Sequence, residues 1–284
     1  MSSTVLEPEI RRAAPDRSGA ADSQRLGLAS GVGLGLGVIW LSLLVALPLA
    51  AVVAKGTGSG WTGFTDTFTD RRAFDAIQLT VLSSLGVALI NAVMGTVIAW
   101  VLVRDHFPGK RILELLIDIP FALPTIVAGL VLLTLYGPHS AIAPDLYATK
   151  PGIVVALLFV TLPFVVRTVE PVLLALESDV EEAATSLGAS SFTTFRRIVL
   201  PAVLPAVLSG AALAFGRAMG EYGSVVLISG QLTYKTEIAS LYIYKQIQDD
   251  ALPQAAATAT VLLLISVVVI GLIGLLQQWA ARRG

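Results

Sequence analysis

The sequence predicts an all-α, polytopic membrane protein with six transmembrane helices, and three observations carry that prediction. Of 284 residues, 55% are hydrophobic and 14% charged, against about 25% charged in soluble domains, and the mean hydropathy is +0.79. Apolar segments recur at 28–54, 76–103, 115–136, 152–169, 202–228 and 255–279, each near the ~20 residues a helix needs to cross a bilayer. Between the fourth and fifth lies an amphipathic stretch too short to cross. The absence of cysteine excludes disulfides, thiolate metal sites and cysteine nucleophiles. His106 and His139 have no ligand partner at a recognisable spacing, so no metal is expected, and no nucleic-acid partner either.

Taken in order, residues 1–27 are polar, rich in Ala, Ser and Arg, and hold Pro8 and Pro15; they read as a mobile tail. The apolar run at 28–54 exceeds the core of a signal peptide and suits a span. Its Gly31, Gly33, Gly35 and Gly37 follow no strand, so packing against a neighbouring helix explains them better than a nucleotide loop does. Pro120 and Pro124 are expected to interrupt the third span and Pro163 the fourth, and such breaks are tolerated where they line a cavity or are buried in protein. In the 229–254 loop, Tyr234, Tyr242 and Tyr244 with Lys235, Lys245, Asp249 and Asp250 suit either interface anchors or a docking surface.

Six spans put both termini on one side. Twelve Lys and Arg fall on that side (Arg11, Arg12, Arg17, Arg25, Arg104, Lys110, Arg111, Arg167, Arg196, Arg197, Arg282, Arg283) and six on the other (Lys55, Arg71, Arg72, Lys150, Lys235, Lys245). The positive-inside rule therefore places the tail, both termini and the 170–201 loop in the cytoplasm.

That loop carries the most specific pattern. Glu182-Ala183-Ala184 is followed after three residues by Gly188, after nine more by Ile198, and then by Leu200-Pro201. Ser178 reads as an N-cap and Glu181 as its capping-box partner, with Asp179, Glu181 and Glu182 loading the positive end of the helix dipole. Val180, Ala183, Ala184 and Leu187 share one face, and Gly188 stands where a left-handed residue would end the helix. A second short helix with Phe192, Phe195 and Val199 then runs into the fifth apolar segment.

This pattern resembles the cytoplasmic signature of ABC importer permease subunits. The resemblance implies the type I ABC importer permease fold over residues 28–284, spans two to six forming its core and span one wrapping a neighbour. It also implies that Glu182, Ala183, Ala184, Leu187, Gly188, Ile198, Leu200 and Pro201 couple the chain to a partner ATPase, the small alanines admitting close backbone approach in a helix-in-groove contact. Four further stretches, Ile119 to Leu130, Pro163 to Leu173, Gly220-Glu221-Tyr222-Gly223 and Lys235-Thr236-Glu237, are similar to the sulfate/thiosulfate permeases of T type. That finer resemblance implies a heterodimer with a W-type permease, two ATPase subunits, an extracytoplasmic sulfate-binding protein and a sulfate or thiosulfate anion as cargo. Pro108-Gly109-Lys110-Arg111 lacks the hydroxyl and the strand-to-helix setting of a phosphate loop. No cofactor is expected on this chain, ATP is expected to be used by another, and the chain is not expected to be an enzyme. A bacterial cytoplasmic membrane is the implied location. A molybdate or tungstate permease and an ATPase-independent secondary transporter remain the rival readings.

Arg217 and Glu221, four residues apart in the fifth span, and Pro124 and Thr125 in the third are the candidate lining of the translocation path. An unpaired charge about 15 residues into a span costs at least ~2.5 kcal/mol on insertion scales. Arg217 and Glu221 are therefore expected to pair, and two readings stay open: a pathway element, or an ion pair that only locks helices together.

Overall fold

The computed structural model describes residues 28–58, 65, 67–176 and 178–281, with side chains from residue 31 onward except at 178 and 179. The tail expected at 1–27 lies outside the described residues. Those residues form helices and connecting turns without a strand, and contacts divide the chain into two units, meeting at Ala50 and Ala51.

The first unit holds α1 (Leu28–Leu41), one π turn (Ser42–Ala46) and the start of α2 (Leu47–Thr57). The π turn precedes a Leu-Pro pair: the Leu47 amide reaches back five residues to Ser42 O, and Pro48 has no N–H to give. Widening the turn keeps the proline ring clear of the preceding carbonyl without breaking the helix. Residues 31–50 are exposed throughout. Within the described residues the expected packing of Gly31, Gly33, Gly35 and Gly37 against a neighbouring helix is not met, because a Cβ at any of them would meet nothing within 4 Å.

The second unit is a bundle around α6 (Lys150–Ala175), the most buried of its spans. Its neighbour α3 (Arg71–Arg104) starts at Asp70, whose carboxylate accepts from the Arg72 amide at 2.9 Å. At 34 residues α3 is about 51 Å long and overruns the ~30 Å hydrocarbon core, so its arginines sit beyond the apolar stretch at both ends.

Pro163 does not interrupt α6, contrary to expectation. The helix runs unbroken through it and through Pro171. Two residues on, Val165 is clamped from both sides: a Cβ at Gly95 of α3 would lie 2.8 Å from Val165 Cβ, and one at Gly210 would lie 2.8 Å from Val165 Cα. Close packing of this kind replaces water exclusion as the force between helices in lipid, and it supports a helix that an interior proline would weaken by ~3 kcal/mol.

The third span does break, more sharply than a kink. It consists of α4 (Lys110–Ala122) and α5 (Thr125–Tyr136), bent by 117°; Pro120, also expected to interrupt the span, lies inside α4 without breaking it. The residue before a proline is pushed out of helical geometry, and Leu123 accordingly has φ −84° and ψ 135°. Pro124 then opens α5, its carbonyl accepting from the amides of Val127 and Ala128. The limbs are about 20 and 18 Å long, so neither crosses alone.

After α6 come α7 (Ser178–Ser186), α8 (Ser191–Thr194), a second π turn (Phe195–Val199) and α9 (Leu200–Met219). This π turn also precedes a Leu-Pro pair, with the Leu200 amide on Phe195 O, so the first one's cause repeats. The fifth span was expected at 202–228. Instead the apolar helix runs from Ser191 to Met219, and residues 220–222 separate it from the short α10 (Gly223–Ile228). The helix α11 (Ala239–Gln248) and the last span, α12 (Leu252–Ala281), complete the unit.

Candidate functional site

The signature loop folds largely as its residues dictate. α6 continues to Ala175, so the loop expected from 170 begins with a turn and a half of helix. α7 then spans nine residues and stops in a Schellman turn: the Ala189 amide donates to Ala184 O at 3.0 Å and the Gly188 amide to Thr185 O at 2.9 Å. Gly188 has φ +84°, the left-handed geometry that such a stop requires. The N-cap assigned to Ser178 lies outside the described side chains.

The apolar face of α7 turns outward. Val180, Ala183 and Leu187 are exposed, Leu187 at 89%, and Ala184 is half-buried; Phe192 of α8 is exposed at 71%. Glu182 is exposed as well, Ile198 is half-buried within the π turn, and Leu200 and Pro201 are half-buried at the start of α9. Glu181 has its expected capping-box partner, Ser178, outside the described side chains. Its carboxylate is taken by Arg104 at the end of α3, whose Nη2 donates to Glu181 Oε1 at 2.6 Å and to Leu176 O at 3.0 Å. The guanidinium lies 5.8 Å from the Trp100 ring centroid, and Trp100 meets Phe195 edge-on at 5.7 Å. Sequence reasoning saw Arg104 only as a topogenic charge; its pairing with Glu181 across 77 positions left no local signal.

A second ion-paired group braces α4 against α6. Arg167 Nε donates to Asp118 Oδ1 at 2.9 Å, Nη2 donates to Asp118 Oδ2 at 2.5 Å and Nη1 to Glu170 Oε2 at 2.7 Å. This fork-on-fork contact is the strong form of an Arg–carboxylate pair. It too was hidden in the sequence, where Arg167 counted only as a positive charge.

The four residues marked as pathway candidates come together at two helix breaks. Arg217 lies in the last turn of α9, not deep within a span continuing to 228, and Glu221 lies past the helix end, 1% exposed. Glu221 Oε1 accepts from the Ser224 amide at 2.8 Å, which caps α10. Its Oε2 is 2.5 Å from Arg217 Nη1 but forms no hydrogen bond, so this contact is an ionic one. α10 rests on the start of α5. A Cβ at Gly223 would collide with Thr125 Oγ1 and lie 2.9 Å from the Ile126 amide, and one at Gly129 would lie 2.8 Å from Ser224 O. The two glycines thus let the broken helices touch backbone to backbone. Pro124 is exposed, Thr125 half-buried, and the Arg217 side chain 34% exposed.

At the end of the bundle opposite the signature loop, the 229–254 segment is not a simple loop of surface anchors, because α11 lies within it. Tyr242 is buried, and its hydroxyl donates to Asp70 Oδ2 at 2.9 Å. Burial, and then the bond to Asp70, push that phenol up to about 12. Glu237, 2% exposed, receives Arg72 through Nε and Nη2, both at 2.8 Å, and Lys245 Nζ at 2.7 Å. Burial works to raise the Glu237 carboxyl, but these charged donors outweigh it and hold the group below the usual carboxylate range.

Comparison with known proteins agrees with this architecture. A bacterial alginate ABC transporter chain, solved in complex with an alginate pentasaccharide-bound periplasmic protein, superposes with a TM-score of 0.71 at 18% identity over 89% of this chain and 93% of its own; the fold is shared. The Sulfate transport system permease protein CysT of Synechocystis sp. is 44% identical over 252 residues, 86% of this chain and 88% of the relative. Its namesake from Salmonella typhimurium is 38% identical over 271 residues, 93% of this chain and 98% of the relative. Residues 91–282, which hold the signature loop, both helix breaks and Glu237, match the family described as binding-protein-dependent transport system inner membrane component. The chain therefore belongs to the family of inner-membrane components of binding-protein-dependent transport systems, the permeases of ABC importers.

Proposed function

We propose that this chain is the T-type permease subunit of an ATP-driven sulfate/thiosulfate importer. One observation carries the reading: similarity to permeases named for sulfate transport extends over 93% of the chain at 38% identity and takes in the signature helix that the structure builds intact. In this reading a W-type permease completes the pore, two ATPase subunits bind ATP on its cytoplasmic side, and an extracytoplasmic sulfate-binding protein delivers the anion. In the same reading the signature end and both termini face the cytoplasm, which the charge distribution supports.

α7 then serves as the coupling helix. Its outward Val180, Ala183 and Leu187 seat in an ATPase groove. The Schellman stop at Gly188 and the Arg104–Glu181 tie make it a stiff lever on α3. Moving an inward-facing population from 1:99 to 99:1 takes about 5.5 kcal/mol of differential binding, so the contact that transmits it has to be rigid. On the path itself, Arg217 is held on one side by Glu221 and keeps donors free for an anion on the other, a shared charge that lowers a barrier without trapping the ion. Pro124 and Thr125 line the facing break.

The test is deletion of this chain with radiolabelled sulfate uptake and recovery of copurifying subunits. Loss of uptake restored by the chain, with an ATPase and a second permease in the purified complex, is the expected result. Uptake that tracks molybdate in place of sulfate, or that persists without the ATPase, overturns the reading.

A further inference from the structure

Of the six cations that the sequence places at the end opposite the signature loop, five gather at one corner of the fold. A cavity of about 460 Å³ opens there between α3, the start of α6 and the turn before α11, lined among others by Asp75, Gln78, Ser83, Lys150, Lys235 and Glu237. Its carboxylates are already engaged. Glu237 is held by Arg72 and Lys245, and Asp75 lies 3.7 Å from Arg71. Asp70, just beyond, takes the Tyr242 hydroxyl. Lys150 and Lys235 have no ion-pair partner among the described residues, so among those residues the cavity carries two ammonium groups outside any ion pair.

Neutral donors stand beside them. Ser83 is 8% exposed and its hydroxyl makes no hydrogen bond within the described residues, although it borders the cavity. The amide of Gln78 is exposed there as well. The turn that presents Lys235 is built firmly: Gly230, Gln231 and Tyr234 all have positive φ, between 52° and 64°. Thr236 Oγ1 bridges its two ends, donating to Ser229 O at 2.5 Å and accepting from the Leu232 amide at 3.1 Å. Two non-glycine residues held in that region cost of order 1–3 kcal/mol each, and such strain collects at functional sites.

We propose that this cavity is a weak binding site for a tetrahedral oxyanion, held by Lys150 and Lys235 with Ser83 and Gln78 as neutral donors. The proposal rests on the sulfate reading for the identity of its ligand. The volume leaves space around the ion for several waters at about 30 Å³ each, which suits a hydrated resting place at the end of the bundle away from the signature loop. Conduction needs such sites to be weak. Two ammoniums outside any ion pair among the described residues, set in a concave wall, also raise the local anion concentration, by 10-fold or more in comparable clefts.

The chain has no cysteine, so a single Leu82→Cys at the cavity wall reports on it cleanly. The purified complex is labelled with an anionic and a cationic methanethiosulfonate of similar size, in detergent so that both faces are accessible. The expected result is that the anionic reagent reacts about ten-fold faster, that Lys150→Gln with Lys235→Gln abolishes this preference, and that sulfate slows the anionic reagent more than chloride of equal ionic strength. Gln78→Cys supplies a second probe if the first complex fails to assemble. Equal rates for the two reagents, or a sulfate effect no greater than that of chloride, overturn the proposal. Sulfate uptake by the unmodified complex is measured in parallel: charge-selective labelling without uptake removes the transport reading and leaves the site, whereas uptake without selectivity removes the site alone.

Discussion

Arg104 and Glu181 are joined by a 2.6 Å contact that fastens the end of a 34-residue membrane helix to the nine-residue helix of the signature loop. Their side chains are about one-fifth exposed, so the pair is partly shielded, and a hydrogen bond between charged groups in that setting contributes about 1.5–3 kcal/mol. Arg104→Ala is expected to leave the complex assembled with normal basal ATPase activity while sulfate uptake falls by ten-fold or more, since ~1.4 kcal/mol of lost coupling already corresponds to a factor of ten. Glu181→Gln, which keeps an acceptor but removes the charge, should fall between the two. Parallel measurement of uptake and ATP hydrolysis in proteoliposomes checks this.

Gly188→Val tests the helix stop. Nothing lies within 4 Å of a Cβ built there, so the penalty comes from backbone geometry alone, roughly 1–2 kcal/mol for an L residue in left-handed conformation and more for a β-branched one. Gly188→Asn should therefore retain most of the uptake that Gly188→Val loses. If the two variants behave alike, the stop is not what transmits the motion.

The extent to which these features were legible in the sequence follows the range of the interactions. The stop at Gly188 and the break at Pro124 are set by neighbours within four residues, and both stand where the pattern put them. Pro163 misled because its outcome is set by Gly95 and Gly210, which lie 68 and 47 positions away and bring neighbouring helices close against Val165. The end of α9 at Met219 was missed for a related reason. An apolar run from 202 to 228 gives no warning that Glu221 will cap a new helix at Ser224. The Arg104–Glu181 and Arg72–Glu237 pairs join residues 77 and 165 positions apart, beyond any periodicity.

The helix breaks at Thr125 and Gly223 offer a third prediction. Gly223→Ala places a methyl group against Thr125 and the Ile126 amide, where backbone has to move, and overpacking of this sort costs typically about 1–3 kcal/mol. The variant complex should unfold at lower temperature and lose uptake. Thr125→Ala with Gly223→Ala should recover only part of the stability, because it removes the clashing Oγ1 while the clash with the amide persists.

Arg217 separates the two readings of the buried pair. Arg217→Ala is expected to abolish uptake while assembly and basal ATPase activity persist, and Arg217→Lys to retain some uptake. If Arg217→Ala blocks assembly, and replacement of both Arg217 and Glu221 by apolar residues restores assembly and uptake together, the pair is a structural lock.

Acid stability should report on Glu237. Its carboxyl titrates below the usual range when folded, so its contribution is fully present above the unfolded value of about 4.3 and is lost as pH falls through the lower folded value. The melting temperature of the purified complex should drop as pH falls from 5 to 3. Glu237→Gln should lower it at pH 7, by leaving Arg72 and Lys245 without a counter-charge, and flatten the acid limb. An unchanged acid limb in that variant would show that other carboxylates set it.

The most direct measurement is ATP-dependent uptake of radiolabelled sulfate into proteoliposomes holding this chain, its partner permease and the ATPase, with binding protein supplied on the far side from ATP. Uptake should require ATP and binding protein together, resist an equal concentration of molybdate, and collapse in Gly188→Val while ATP hydrolysis continues. Sulfate uptake that proceeds without the ATPase, or that Gly188→Val leaves at the wild-type rate, would contradict the assignment of this chain as a permease driven through its signature helix.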